Sequence, residues 1–170
     1  AAVGLGIKEG FEKIGKAGEG IGKNFNGWNV GAAFGDRDFY KGDWLLRAAA
    51  AKAGIEIVEV GIDSANDIAP RIQSLRGRVD ALFVIQSNIL QTALPVIAAT
   101  AQRIGVPAIN TLDTPVRDGS FLAAYAVSYR QMGVAAGRIA RRILDGEKPA
   151  AIAPWKPGPS DYTALVSRKQ

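Results

Sequence analysis

Four apolar runs between Trp28 and Leu112, each followed by a short polar loop and an amphipathic stretch, constrain this chain more than any other feature. They are WNVGAAF (28 to 34), IEIVEVGI (55 to 62), VDALFVI (79 to 85) and VPAINTL (106 to 112). Strand-length apolar runs alternating with helical patterns predict an α/β fold, a parallel sheet flanked by helices, because strands covered on both faces need few polar positions. In an open parallel sheet the strands end on one edge. The loops GDRDFYKGD, DSAND, QSN and DTPVRDG then gather there, and α/β proteins place ligands at such a rim.

A chain of 170 residues with 48% hydrophobic content is long enough for one well-buried domain. Its mean hydropathy of +0.05 argues against disorder and against membrane spanning, and no apolar stretch approaches the roughly 20 residues that cross a bilayer. The net charge of +5 raises the question of nucleic acid, but the basic residues are scattered. The densest group, Arg138, Arg141 and Arg142 on a late helix, reads as a solvated face. Readers of RNA or DNA add aromatics or a known module, so no nucleic-acid partner is expected.

The chain has no Cys and no His. That excludes a Cys nucleophile, a His base, a Ser/His/Asp triad and an ordinary zinc site. Carboxylates, Lys, Tyr and backbone amides remain. They form no convincing acid and base pair or nucleophile elbow at the rim, so the chain is not expected to be an enzyme and needs no cofactor. The stretch AAVGLGIKEGF lacks the basic leader and long apolar core of a signal peptide, so such a signal was removed or the chain is a fragment.

Residues 1–27 form a segment apart. Ile7, Phe11 and Ile14 fall at helical spacing, but six glycines from Gly4 to Gly20 each cost a helix about 1 kcal/mol relative to Ala. A poorly stable helix followed by a glycine-rich linker is expected. Gly10 to Lys16 has the spacing of a phosphate loop, yet Ala17 replaces the Ser or Thr that holds magnesium, and the match reads as chance. Further on, Asp43 caps a helix that stops at Gly54, Ser64 or Asn66 caps one through IAPRIQSL, and Ser87 or Asn88 caps ILQTALPVIAATAQRI, ended by Gly105. SFLAAYAV is expected as a fifth strand, Ser128 as a cap for a helix closed by Asp145 and Gly146, and DYTALV as an edge strand after a proline-broken tail.

The stretch VDALFVIQSNILQTA, 79 to 93, resembles the substrate-binding component of ABC importers with the periplasmic binding protein type I fold, a family with tryptophan- and tyrosine-binding members. That family carries VDAIYVPTDNTV, which Val79, Asp80, Ala81, Val84, Asn88, Ala93 and Leu94 follow. Pro107 and Asp113 follow its next strand and acidic position; Gly119, Tyr125, Tyr129 and Gly133 follow KAGALATYGIDYYELG after one insertion. ILDGEKPAAI, from Ile143 to Ile152, is nearly the family's ILKGEKPADI. The chain departs from the pattern at FGDRDFYKG, where Gly35 and Asp36 replace an Asn-Pro turn. Family members are also nearly twice as long.

The resemblance implies a flavodoxin-like strand order, a ligand-binding lobe over 28–115, and a part over 116–170 that returns to a first lobe in full-length relatives. It places the crossing near Val116 to Gly119 and leaves Ser120 to Val127 without its usual sheet. Self-association through an exposed sheet edge, or a missing partner segment, would then be needed to complete the cleft.

The candidate site residues come from this rim. Asp36, Arg37, Phe39 and Tyr40 combine a bidentate cation with aromatic faces, while the bland alternative makes Trp44 a packing residue and pairs Arg37 with Asp38 at the surface. Gln86, Ser87 and Asn88 lie where a strand gives way to a helix, offering free amides to a carboxylate or carbonyl, or simply an N-cap. Asp113 and Thr114 offer an acceptor for an ammonium or hydroxyl, though Asp before Thr-Pro also favours a turn. Ser128 and Tyr129 face the cleft once the other lobe is assembled.

The resulting expectation is a periplasmic or membrane-associated extracellular receptor that binds a small polar or aromatic solute, such as an amino acid, and delivers it to ABC permease subunits. The alternative is a sensory or regulatory effector-binding domain of the same fold, and the chain carries no helix-turn-helix in its favour.

Overall fold

The computed structural model describes residues 29–35, 43–127 and 129–169. The expectations for 1–27, for the loop bearing Asp36, Arg37, Asp38, Phe39 and Tyr40, for the packing of the Trp44 side chain, and for Ser128 lie outside the described residues.

Six strands form one sheet: β1 (Asn29–Gly35), β2 (Glu56–Ile62), β3 (Ala81–Val84), β4 (Ala108–Asn110), β5 (Ala123–Val127) and β6 (Tyr162–Val166). Their order is β2-β1-β3-β4-β5-β6, the expected flavodoxin-like arrangement extended by one strand. The first five strands run parallel and β6 is antiparallel to β5, pairing Ala123 with Val166 and Val127 with Tyr162.

Alternation along the strands builds a core on each face. On one face Ala33, Val60, Ile62, Leu82, Val84, Ala108 and Ala124 pack with Ile68, Ile72, Leu90, Ile97, Val116 and Phe121. These come from helices α2 (Ile68–Gln73), α3 (Asn88–Thr92), α4 (Leu94–Ile104) and α5 (Thr114–Arg117) and from the loop before β5. On the other face Val30, Ala32, Ala81, Phe83, Ile109, Ala123 and Tyr125 meet Leu46 and Ala50 of α1 (Asp43–Lys52). Gly31 of β1 is needed for close packing, since a Cβ there would lie 2.7 Å from Cδ1 of the fully buried Leu75.

Several expectations change. The run ILQTALPVIAATAQRI makes two helices, broken at Ala93 (φ −111°, ψ 11°). Pro95 has no N–H for the Gln91 carbonyl and its ring crowds that carbonyl, so α4 restarts with Pro95 in its first turn. Gly105 ends α4 at φ 74°, as expected of a left-handed cap. Neither Ser64 nor Asn66 caps α2. A single 3-10 turn, Ala65–Asp67, precedes it, and the Ser64 hydroxyl donates to the Asp67 carboxylate at 2.8 Å.

The largest correction concerns Ser120 to Val127. Its strand is not left without a sheet: β5 pairs in parallel with β4 through Ile109 with Ala123 and Asn110 with Ala124. Ala123 to Ala126 of AAYAV are all buried, on both faces of the strand, which suits an interior position. The connection from Thr111 to Leu122 holds about the dozen residues that a parallel crossover needs. Because β4 and β6 flank it, β5 has no free edge for strand exchange.

Candidate functional site

The carboxyl ends of β1 to β5 share one edge, and β1 and β3 are the neighbours between which the strand order reverses. Ala33, Val84, Asn110 and Ala124 lie in register across β1, β3, β4 and β5 just below that rim.

The β3 loop settles the choice of cap. Ser87 has an extended backbone (φ −145°, ψ 156°), and its Oγ accepts the Leu90 N–H at 3.3 Å. Asn88 is the first residue of α3. Its carbonyl accepts the Thr92 hydroxyl at 3.3 Å, while its exposed side-chain amide makes no hydrogen bond among the described residues. Gln86 is exposed beside it. Ser87 Oγ accepts from the backbone and keeps its own O–H to donate, while Gln86 and Asn88 hold their side-chain amides exposed beside it.

Across the rim, Asp113 turns back on its own helix. Its Oδ2 accepts from Arg117 Nε at 2.9 Å, and its side chain is 17% exposed against 62% for Arg117. One carboxylate oxygen remains for an outside donor. Thr114 opens α5, exposed. Tyr129, the first residue of α6 (Tyr129–Leu144), is 60% exposed.

Asn110, the last residue of β4, was not among the expected site residues. It is 1% exposed, and its Oδ1 accepts the Leu112 N–H at 2.9 Å. Leu112 N–H can bond only to an acceptor, so the amide orientation is fixed. Its Nδ2 is left buried with no partner among the described residues. A buried donor without an acceptor costs about 1 to 3 kcal/mol. The sequence signal was present as the one amide inside the apolar run VPAINTL.

At the far end of the rim the rings of Tyr125 and Tyr162 stack with centroids 4.9 Å apart and planes 11° from parallel. Burial, then the neighbouring Tyr125 and Asp161, push the Tyr162 hydroxyl above its ordinary pKa. A raised folded-state value means this contribution to stability is complete below the unfolded pKa of about 10 and is lost as pH rises through the folded one. Urea midpoints from pH ~9 to ~11 are expected to fall, and Tyr162→Phe to flatten the fall; identical slopes in both proteins would contradict the assignment.

Among the described residues no group of His, Cys, Asp or Glu is placed to hold a metal, and no helix is long and apolar enough to cross a membrane.

Comparison with known proteins bears on the family and the fold. Residues 42–161 match the family described as ABC transporter substrate binding protein. A tyrosine-binding protein of Clostridioides difficile (strain R20291) is 31% identical over 107 residues, 63% of this chain and 31% of that protein. A substrate binding protein with adhesive properties from Clostridium difficile, solved in its ligand-free, open form, superposes with a TM-score of 0.63 at 25% identity, over 83% of this chain and 48% of the other. An ABC domain from Streptococcus pneumonia in complex with L-Trp gives 0.65 at 25% identity, over 74% and 43%. The chain thus spans about half the length of these solved proteins and about a third of the curated relative. With most of its length matched and its sheet built as in solved relatives, the chain belongs to the ABC transporter substrate binding protein family.

Proposed function

We propose that this chain is a solute-binding lobe of an extracytoplasmic receptor that hands a small polar or aromatic molecule, such as an amino acid, to the permease subunits of an ABC importer. The observation that carries the reading is the buried, unpartnered Nδ2 of Asn110 below the rim, a donor suited to a carboxylate or carbonyl oxygen. Gln86, Ser87 and Asn88 on the β3 loop, Asp113 with Thr114 on the β4 loop, and Tyr129 supply the rest of the proposed site; Asp36, Arg37, Phe39, Tyr40 and Ser128, outside the described residues, are assigned to it from the sequence. Solved relatives include one holding L-Trp, and a curated relative is named for tyrosine. Binding without turnover is the reading that fits substrate-binding relatives.

A thermal-shift screen against amino acids, nucleosides and sugars tests it. A specific solute at 100 times its dissociation constant adds about 2.7 kcal/mol of stability, and no shift with any class would refute the reading. Replacing Asn88 with alanine is expected to weaken solute binding by about 1 to 2 kcal/mol through one lost hydrogen bond. Because Ser87 and not Asn88 makes the cap, the variant should keep its stability, and calorimetry showing unchanged affinity would remove Asn88 from the site. A single lobe covers one face of a ligand, so the isolated chain is expected to bind weakly or to pair with a second lobe or copy. Submicromolar binding by a strict monomer in light scattering would refute this.

A further inference from the structure

A cavity of about 280 Å³ lies between α6 and the tail that leads into β6, lined by Arg130, Gln131, Val134, Ala135, Arg138, Trp155 and Asp161. Its charges are unusual for this helix. Of the four arginines on α6, Arg141 pairs with Asp145 at 2.8 Å, and Arg142 takes Glu147 in a two-pronged contact at 2.6 and 2.5 Å. Arg130 and Arg138 face the cavity and have no ion pair or hydrogen bond among the described residues. Asp161, the carboxylate in the lining, spends Oδ2 on the Gly158 N–H at 2.8 Å and pairs with neither arginine. Between the two cations lies an apolar floor: Val134 is 48% exposed and Trp155, across the groove, 38%.

The spacing defines an occupant. Arg130, Val134 and Arg138 stand at i, i+4 and i+8 on one stripe of the helix, so the guanidinium groups are set about 12 Å apart along it. In an extended chain, residues i, i+2 and i+4 point to one side and the outer two are about 13 Å apart. We infer that this groove receives an extended acidic segment of a partner protein, with Asp or Glu at i and i+4 meeting Arg130 and Arg138 and an apolar residue at i+2 resting on Val134 and Trp155. The match is of length, charge and side-chain alternation together. It uses none of the residues proposed for the solute site, although Arg130 directly follows Tyr129 on the same helix.

The test is titration of the folded chain with the acetylated, amidated pentapeptide Glu-Thr-Leu-Thr-Glu and its Gln-Thr-Leu-Thr-Gln counterpart. The readout is the Trp155 indole N–H resonance, assigned by its loss in Trp155→Phe. At low salt the glutamate peptide is expected to shift that resonance saturably, the glutamine peptide much less, and added salt to weaken the response. Arg130→Gln and Arg138→Gln, both at exposed helix positions, are each expected to weaken binding by about two- to fivefold while circular dichroism stays unchanged. Equal response to both peptides, no response, or unaltered affinity in both arginine variants overturns the inference. So does binding to phosphatidylglycerol vesicles in place of the peptide, which would assign the groove to a lipid surface.

Discussion

Phe121→Ala is expected to destabilise the chain by about 3 to 5 kcal/mol, the usual cost of emptying a fully enclosed aromatic site. Among the described residues Phe121 is the largest side chain with no exposed surface, and it packs in the same core as Val116, Ala124 and Leu90. Its N–H donates to the Pro115 carbonyl at 2.9 Å, tying the α5 turn to the start of β5. Urea unfolding followed by circular dichroism is the check. Leu144→Ala, at 83% exposure, is the control and should stay within about 0.5 kcal/mol. Because Phe121 anchors the approach to β5, this result also tests whether β5 belongs to this sheet. A loss below about 1 kcal/mol would say that the segment is held elsewhere, since that is far under the cavity cost.

Asn110→Ala is expected to separate stability from binding. In the free chain the substitution removes one unpaired donor, Nδ2, and creates another, the Leu112 N–H that Oδ1 had accepted. Each unpaired buried group costs about 1 to 3 kcal/mol, so the two changes largely cancel. Binding has no such compensation. If Nδ2 meets a solute carboxylate, its loss costs about 1.5 to 3 kcal/mol, roughly ten- to 150-fold in affinity. Isothermal calorimetry alongside urea midpoints distinguishes the cases. A variant that unfolds earlier but binds as the parent does would make Asn110 a structural residue only.

Much of the fold was legible because its determinants are local or periodic. The apolar runs marked each of β1 to β4, and DYTALV marked β6, since strand length and flanking breakers are written in the chain itself. Gly105 and the Ser87 or Asn88 alternatives were visible for the same reason, although only hydrogen-bond geometry could choose Ser87. What failed to show was long-range. The split at Ala93 depends on how far Pro95 disturbs the helix before it, which tertiary packing decides. The membership of β5 depends on which strand lies beside it, and alternation gives no partner. Asn110 was hidden by its surroundings: within an apolar run its burial was plain, but its missing acceptor is a property of neighbours distant in the chain. Asp113 and Arg117 stand four residues apart on a short helix, so that pair could have been anticipated.

The reversed direction of β6 decides which end of the molecule can be handled. Tyr162 starts beside Val127 at the rim, and the strand then runs about 14 Å to Val166 beside Ala123, toward the opposite edge. Ser167 continues that path with its N–H on the Leu122 carbonyl at 2.7 Å. A tether, dye or surface linkage joined after this point therefore hangs from the edge opposite the carboxyl ends of β1 to β5. Immobilised by that end, the chain offers its rim to solution unobstructed, whereas attachment through residues 155–161 would occupy the arginine groove.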